Sequence, residues 1–404
     1  MFKKWNHSLE FFLLLLLLFA VPAFEAPKNL LWLAYVVTWL VNRYRSRDFG
    51  GPWDAWDTLI AAWLFSGYLV AAFANLHGSE WMGAHDMTTY LSLLWLVKRS
   101  GYRTHQLMLI PLLAVVGVLP TLVHSLWRVF VTHQKDVIEL NSVGHVNHSA
   151  IYLAIVLGTA LAVVLDWWGR ISALLRSLGV VVLVLLGSAL LMTASRGAVV
   201  ALLLLILIQA AAWLRRSPKL GAAIVAITLL LAGTAYLIKV DVVAKHEANV
   251  AAHNTLSNRD AVWNAAIDTW HHAPLFGIGI NNYKQVNLEK LKDWQEADGK
   301  PFNAADYFIT SHAHSLYFGS LAERGVMGFS VLLVVLGYWL YSLFRHFPGR
   351  DDADTEWALW GGALSAWTIS VVAGLVNSTL HHEHAILSAL LLGAWLAYRK
   401  THRE

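Results

Sequence analysis

Arginine and histidine are the residues in this chain best placed to do chemistry. Arg196 stands in Thr193-Ala194-Ser195-Arg196-Gly197-Ala198, a polar break between two apolar runs. A guanidinium there can hold two oxygens of a phosphate with parallel N–H donors. Gly197, lacking a side chain, would let a bulky anionic head approach the backbone. Arg259 follows Ser257-Asn258 at a predicted helix start, and Arg259, Trp263, Ala266 and Trp270 recur at helical spacing. That stripe could lie on a membrane surface. Pro274 ends the helix, and Phe276-Gly277-Ile278-Gly279 reads as a tight turn. Its Gly-x-Gly is weak evidence for a nucleotide loop because no strand precedes it. Further on comes Ser311-His312-Ala313-His314-Ser315-Leu316-Tyr317, ahead of an apolar run. A histidine at the N-terminal end of a helix tends to stay neutral, because the positive end of the helix disfavours imidazolium. A neutral imidazole can take a proton from a hydroxyl.

Each group also has a plainer reading. Arg196 can be a snorkelling interfacial arginine, Arg259 a solvated residue on an amphipathic helix, and His312 and His314 loop residues satisfied by solvent. His381-His382-Glu383-His384 resembles a metal site, but it lacks the spacing that sets two histidines on one helical face. His381 and His382 are expected to line a site rather than to bind metal. His145, Asn147 and His148 are open to either reading.

These residues must be positioned by apolar helices. Of 404 residues, 57% are hydrophobic and only 14% charged, and the mean hydropathy is positive, so the fold class is an all-α polytopic membrane protein. The absence of cysteine excludes disulfides, thiolate metal sites and cysteine nucleophiles. With about 20 residues per span as the ruler, helices are predicted near 8–24, 29–42, 58–76, 88–97, 105–126, 148–168, 174–193, 198–214, 220–238, 326–344, 357–378 and 385–398. This gives about 12 spans in one membrane domain, 1–404. A large external loop, 240–325, lies between spans 9 and 10, contains amphipathic helices and carries part of the active site.

The distribution of basic residues sets the orientation. With the N-terminus inside, the inner segments hold Lys3, Lys4, Arg43, Arg45, Arg47, Lys98, Arg99, Arg215, Arg216, Arg399 and Lys400 among others, whereas the short outer segments hold only Lys28, Arg128, Lys135 and Arg196. Both termini are therefore expected on the cytoplasmic side. Lys3 and Lys4 before a leucine run also fit a cleaved signal peptide; we read the segment as a retained first span. Many of the 20 tryptophans flank spans, as interfacial anchors do. No predicted span carries Asp, Glu, Lys or Arg near its middle, which weighs against an ion-coupled transporter.

Taken together, several features resemble the O-antigen ligase family: the span pattern, the late external loop, and Ser195-Arg196-Gly197. So do Arg259-x3-Trp263 leading to Pro274-Leu275-Phe276-Gly277-Ile278-Gly279, and His312-x-His314-Ser315-x-Tyr317 leading to Glu323-x-Gly325-x2-Gly328. Members usually carry His-Asn where this chain has His314-Ser315. The resemblance implies a donor glycan on undecaprenyl diphosphate, used on the periplasmic face of a Gram-negative inner membrane. For a ligase the acceptor is a sugar hydroxyl of lipid A-core. Arg196 and Arg259 would then bind the donor diphosphate and His314 would act as base, with His312 as neighbour or substitute. Ser195, Trp263, Ser315, Tyr317, His381 and His382 would line the site. The reaction would be inverting and metal-independent, with no cofactor. Expected partners are the lipid-linked donor, lipid A-core and membrane lipids, with no nucleic acid.

An O-antigen polymerase or a protein O-oligosaccharyltransferase would use the same donor. The second of these often carries a further external C-terminal domain, and here about six residues follow the last predicted span. A lipid-linked glycan flippase would need a polar path through spans that carry no charge.

Overall fold

Leucine-, valine- and alanine-rich runs of this length satisfy their backbone groups as helices. The computed structural model is all-helical. It describes residues 2–237, 241–252, 254, 256–350 and 352–402. In chain order the helices are α1 (Phe2–Ala20), α2 (Glu25–Ser46), α3 (Ala55–Ala72), α4 (Glu80–Lys98), α5 (Thr104–Phe130), α6 (Val146–Trp167), α7 (Ala173–Met192), α8 (Arg196–Arg216) and α9 (Pro218–Leu237). They continue with α10 (Asp241–Ala251), α11 (Arg259–His272), α12 (Leu288–Ala297), α13 (Leu316–Arg345), α14 (Asp354–Ala373) and α15 (His382–His402).

Every predicted span falls on one of these helices. Six are by themselves long and apolar enough to cross a membrane: α3, α5, α6, α7, α8 and α13. In α1 and α9 the residues whose side chains are described include the apolar stretches Ser8–Ala20 and Pro218–Leu231. Helices α6, α14 and α15 form the centre, with α14 lying along α6 and α15 along α4. Glycine allows the close approach: a Cβ on Gly361 would sit 2.4 Å from Ala162 Cβ. By contrast α7 turns Leu174, Leu178, Val181 and Val184 outward, the pattern of a face that meets lipid.

The predicted spans 29–42 and 88–97 belong to longer helices, α2 and α4, whose polar ends are paired. Arg99 grips Asp57 with Nε to Oδ1 at 2.9 Å and Nη2 to Oδ2 at 2.7 Å, and Lys98 reaches Asp54 and Asp57. Lys400 donates to Pro52 O at 3.3 Å. These basic residues, all assigned by the charge distribution to inner segments, meet at one end of the bundle. At the other end Lys28 pairs with Glu383 at the start of α15 and with Glu25.

The segment read as a loop up to 325 is shorter than expected, because α13 begins at Leu316 and breaks at Gly325. Such a break strands the amides of Val326 and Met327, whose helical acceptors would be Ala322 O and Glu323 O. The Pro274–Gly279 turn repairs it. Val326 N donates to Pro274 O at 2.9 Å and Met327 N to Leu275 O at 3.1 Å. In exchange Ile278 N donates to Ala322 O at 3.0 Å and Gly279 N to Glu323 O at 2.9 Å. The turn also accepts Asn75 N and Leu76 N from the α3–α4 loop. It thereby fastens the insertion to both the bundle and α13.

Gly325 has φ 57° and ψ −169°, a region open essentially to glycine, and a Cβ there would lie 2.4 Å from Leu275 C. Gly325→Ala is therefore expected to cost ~3 kcal/mol or more through combined backbone strain and clash. The measurement is the thermal unfolding midpoint in detergent, and an unchanged midpoint would show that the kink does not depend on this residue.

Helix α11 corrects a second expectation. Its Trp263–Ala266 face does not lie on a membrane surface. Ala266 is buried in a small satellite core with Ala265, Ile278, Tyr283, Leu291 and Ala322, and Trp263 packs on Phe318 of α13 with ring centroids 5.3 Å apart. Trp270 turns back to donate to Pro274 O at 3.2 Å. As expected, α11 stops just before Pro274, at His272.

Candidate active site

Left-handed backbone in a residue other than glycine is uncommon and tends to persist where surrounding structure enforces it. Here it gathers around the predicted chemistry. Ala194 (φ 51°) precedes Arg196, Ser257 (55°) and Asn258 (59°) precede Arg259, and His314 itself has φ 47°. Leu380 (55°) and His382 (44°) flank His381.

The two arginines converge on one stretch of chain. Arg196 Nη2 donates to Ser257 Oγ at 2.8 Å, and its Nη1 lies 3.3 Å from His246 Nδ1. Arg259 donates from Nη1 to Leu256 O at 3.1 Å and from Nε to Val376 O at 2.8 Å. Burial, then the charge of Arg196, lowers the pKa of Arg259. Lys245 is lowered by burial and by both guanidiniums. Among the described residues, no carboxylate forms an ion pair with any of these three cations. Two half-buried guanidiniums without a carboxylate among the described residues, with exposed Lys245 beside them, make a place for an anion.

His314 adjoins this cluster. It is half-buried, and its pKa is lowered to about 4, first by burial, then by the Arg259 charge and by His312 and His145. The ring is therefore neutral at physiological pH, as expected, with burial as the leading cause. His312, also lowered mainly by burial, turns to a different neighbourhood. Its ring centroid lies 6.1 Å from His148 and 5.7 Å from His381. A cavity of about 80 Å³, room for a few waters, is lined by His312, His381 and His382 together with Asp86, Asn281, Tyr283, Ser320, Glu323 and Arg324. It does not border His314, Arg196 or Arg259. The structure thus separates the two histidines: His314 goes with the cations and His312 with the polar cavity.

The remaining predicted lining residues divide. His381 and His382 line the cavity, as does Ser315. Ser315 also caps α13, accepting from Tyr317 N and Phe318 N, and its hydroxyl donates to Gly374 O at 3.4 Å. Tyr317 is committed to Val371 O at 3.0 Å and Ser195 to Asn147 Oδ1 at 3.1 Å, so both fasten the site's frame. Trp263 is packed under Phe318. Gly197 is needed for a reason other than the expected one: a Cβ would lie 2.6 Å from Val376 Cγ2 and 3.0 Å from Asn377 Nδ2, so a protein turn, rather than an open approach for ligand, occupies that side. Among the described residues no three His, Asp or Glu groups converge as metal ligands.

The family model described as O-antigen ligase matches residues 181–333, a segment that holds Arg196, Arg259, His312 and His314. Through this segment the chain is similar to the O-antigen ligase family. Members of the family are glycosyltransferase-like enzymes, ligases and polymerases acting on lipid-linked glycans in membranes. No curated protein matches the chain. The stretch from Gly374 to Asn377 lies outside the matched ligase segment, and reading the sequence missed its part in the site because residues up to 378 read as a span. Lys245, too, carried no motif.

Proposed function

We propose that the protein is an O-antigen ligase. It moves a glycan from undecaprenyl diphosphate to a sugar hydroxyl of lipid A-core on the periplasmic face of the inner membrane, with both termini cytoplasmic and twelve helices crossing. The observation that carries this reading is the pair of arginines without carboxylate partners beside a neutral histidine. A diphosphate is already a good leaving group, so the enzyme needs cations on it more than a general acid. Arg196 and Arg259 supply them. The acceptor oxygen attacks the anomeric carbon as His314 takes its proton, and the bond from that carbon to the diphosphate oxygen breaks on the opposite side. Undecaprenyl diphosphate leaves, and the configuration inverts. The neighbouring cavity beside His312, with Asp86, Asn281 and Ser320 in its wall, offers the hydrogen-bonding groups that a sugar requires.

The test is incubation of purified protein with undecaprenyl-diphosphate glycan and either lipid A-core or a second lipid-linked glycan. Transfer to lipid A-core is expected; extension of the lipid-linked glycan alone would make the protein a polymerase. Because arginines meet the diphosphate charge, transfer is expected to survive excess EDTA. Activity lost in chelator and restored by Mn²⁺, Mg²⁺ or Zn²⁺ would reject this mechanism and return His381, His382 and His384 as a ligand set.

A further inference from the structure

Asn377 has no part in the chemistry above, yet its position is unusual. It is 1% exposed, and neither its side-chain oxygen nor its nitrogen has a hydrogen-bond partner among the described residues. A buried amide left so is costly, and a group of this kind calls for a reason. Asn377 follows Val376, whose carbonyl holds Arg259 Nε. Its Nδ2 lies 3.0 Å from where a Cβ on Gly197 would stand, at the first turn of α8. The amide is therefore bracketed by the anchor of one arginine and the residue next to the other.

That first turn is itself uncapped. Ser195, the N-cap of α8, makes no capping bond, because its hydroxyl is committed to Asn147. The first bond to the N-cap carbonyl comes from Val199 N to Ser195 O, at 3.1 Å. The amides of Arg196, Gly197 and Ala198 precede it and have no acceptor within their own helix. A helix start with free N–H groups favours an anion by hydrogen bonding and by its dipole.

We propose that the first turn of α8 and the Asn377 side chain together form a phosphate subsite between Arg196 and Arg259, in which Asn377 Nδ2 donates to an oxygen of the polyprenyl diphosphate. The assignment rests on the function proposed above. In this subsite a phosphate would take the place of Ser257 Oγ on Arg196 and accept from the α8 amides and from Asn377. Gly197 is then required because any side chain there would push the amide aside.

The test uses the full chain in nanodiscs, with undecaprenyl diphosphate and inorganic diphosphate as probes and with Asn377→Val and Asn377→Asp as variants. Asn377→Val removes the unpaired amide at similar volume. It is expected to weaken undecaprenyl diphosphate binding about 10- to 100-fold, the worth of a hydrogen bond to a charged group, while its unfolding midpoint without ligand stays level or rises. Asn377→Asp keeps the shape and adds negative charge, and is expected to bind more weakly still. Wild-type affinity in both variants overturns the assignment alone, as does a fall in the Asn377→Val midpoint with binding unchanged. If wild-type protein binds neither probe, the proposed function fails with it.

Discussion

His314→Asn is expected to lower transfer by roughly 10²- to 10⁴-fold, the usual loss when a general base is removed, while donor binding and folding persist. Asparagine is the informative replacement because position 314 has φ 47°, a conformation that asparagine tolerates better than alanine does. A variant of near-normal activity, combined with an inactive His312→Asn, would move the base to the residue that borders the cavity. The pH dependence supplies an independent check. A pKa of about 4 leaves His314 free to accept a proton throughout the neutral range. Bound diphosphate would offset the Arg259 charge and favour imidazolium, so the acid limb of kcat is expected at higher pH than that of kcat/KM. Stability follows the same sign. The folded pKa lies below the unfolded value of about 6.5, so the contribution is full above that value and is lost as pH falls through 4. His314→Asn should flatten that part of the stability profile.

Arg196→Lys and Arg259→Lys are each expected to lose about 10²-fold or more in transfer and to weaken donor binding, by analogy with removal of one preorganised donor to a developing anion. Charge is conserved in these variants; geometry is not. Arg259 spends Nε on Val376 O and Nη1 on Leu256 O, which aims the guanidinium, and a lysine ammonium on a flexible stem cannot keep those anchors and still offer a fork. Donor affinity measured beside turnover separates the roles. If both lysine variants are fully active, neither arginine is a specific diphosphate clamp.

Much of the architecture was legible because apolar runs and basic flanks are local signals. The predicted spans fall on helices, and Arg43, Lys98, Arg99 and Lys400 meet at one end of the bundle, as their distribution implied. What escaped was long-range pairing. The helix from Leu316 to Arg324 read as loop because its periodicity is broken by the Gly325 kink, whose main-chain bonds are supplied by residues some fifty positions earlier. The Trp263–Ala266 face looked like a membrane-surface stripe because an apolar face does not say what covers it, and α13 does. At the site, Arg196, Arg259 and His314 were legible by chemical type and short motif. Asn377 was not, since a polar residue at the end of an apolar run looks like an ordinary helix terminus. Its significance lies in what it fails to bond.

The exchange of main-chain bonds between the Pro274–Gly279 turn and the Gly325 kink also bears on biogenesis. A ribosome makes the turn before it makes α13, so half of the interlock already exists when the other half emerges. The two halves can meet only if the insertion and the start of α13 have been delivered to the same side of the bilayer. A chain in which the turn had not formed would leave Ala322 O, Glu323 O, Val326 N and Met327 N without these partners, and buried backbone groups left unpaired are costly. The kink is thus complete only when the turn is in place to receive it.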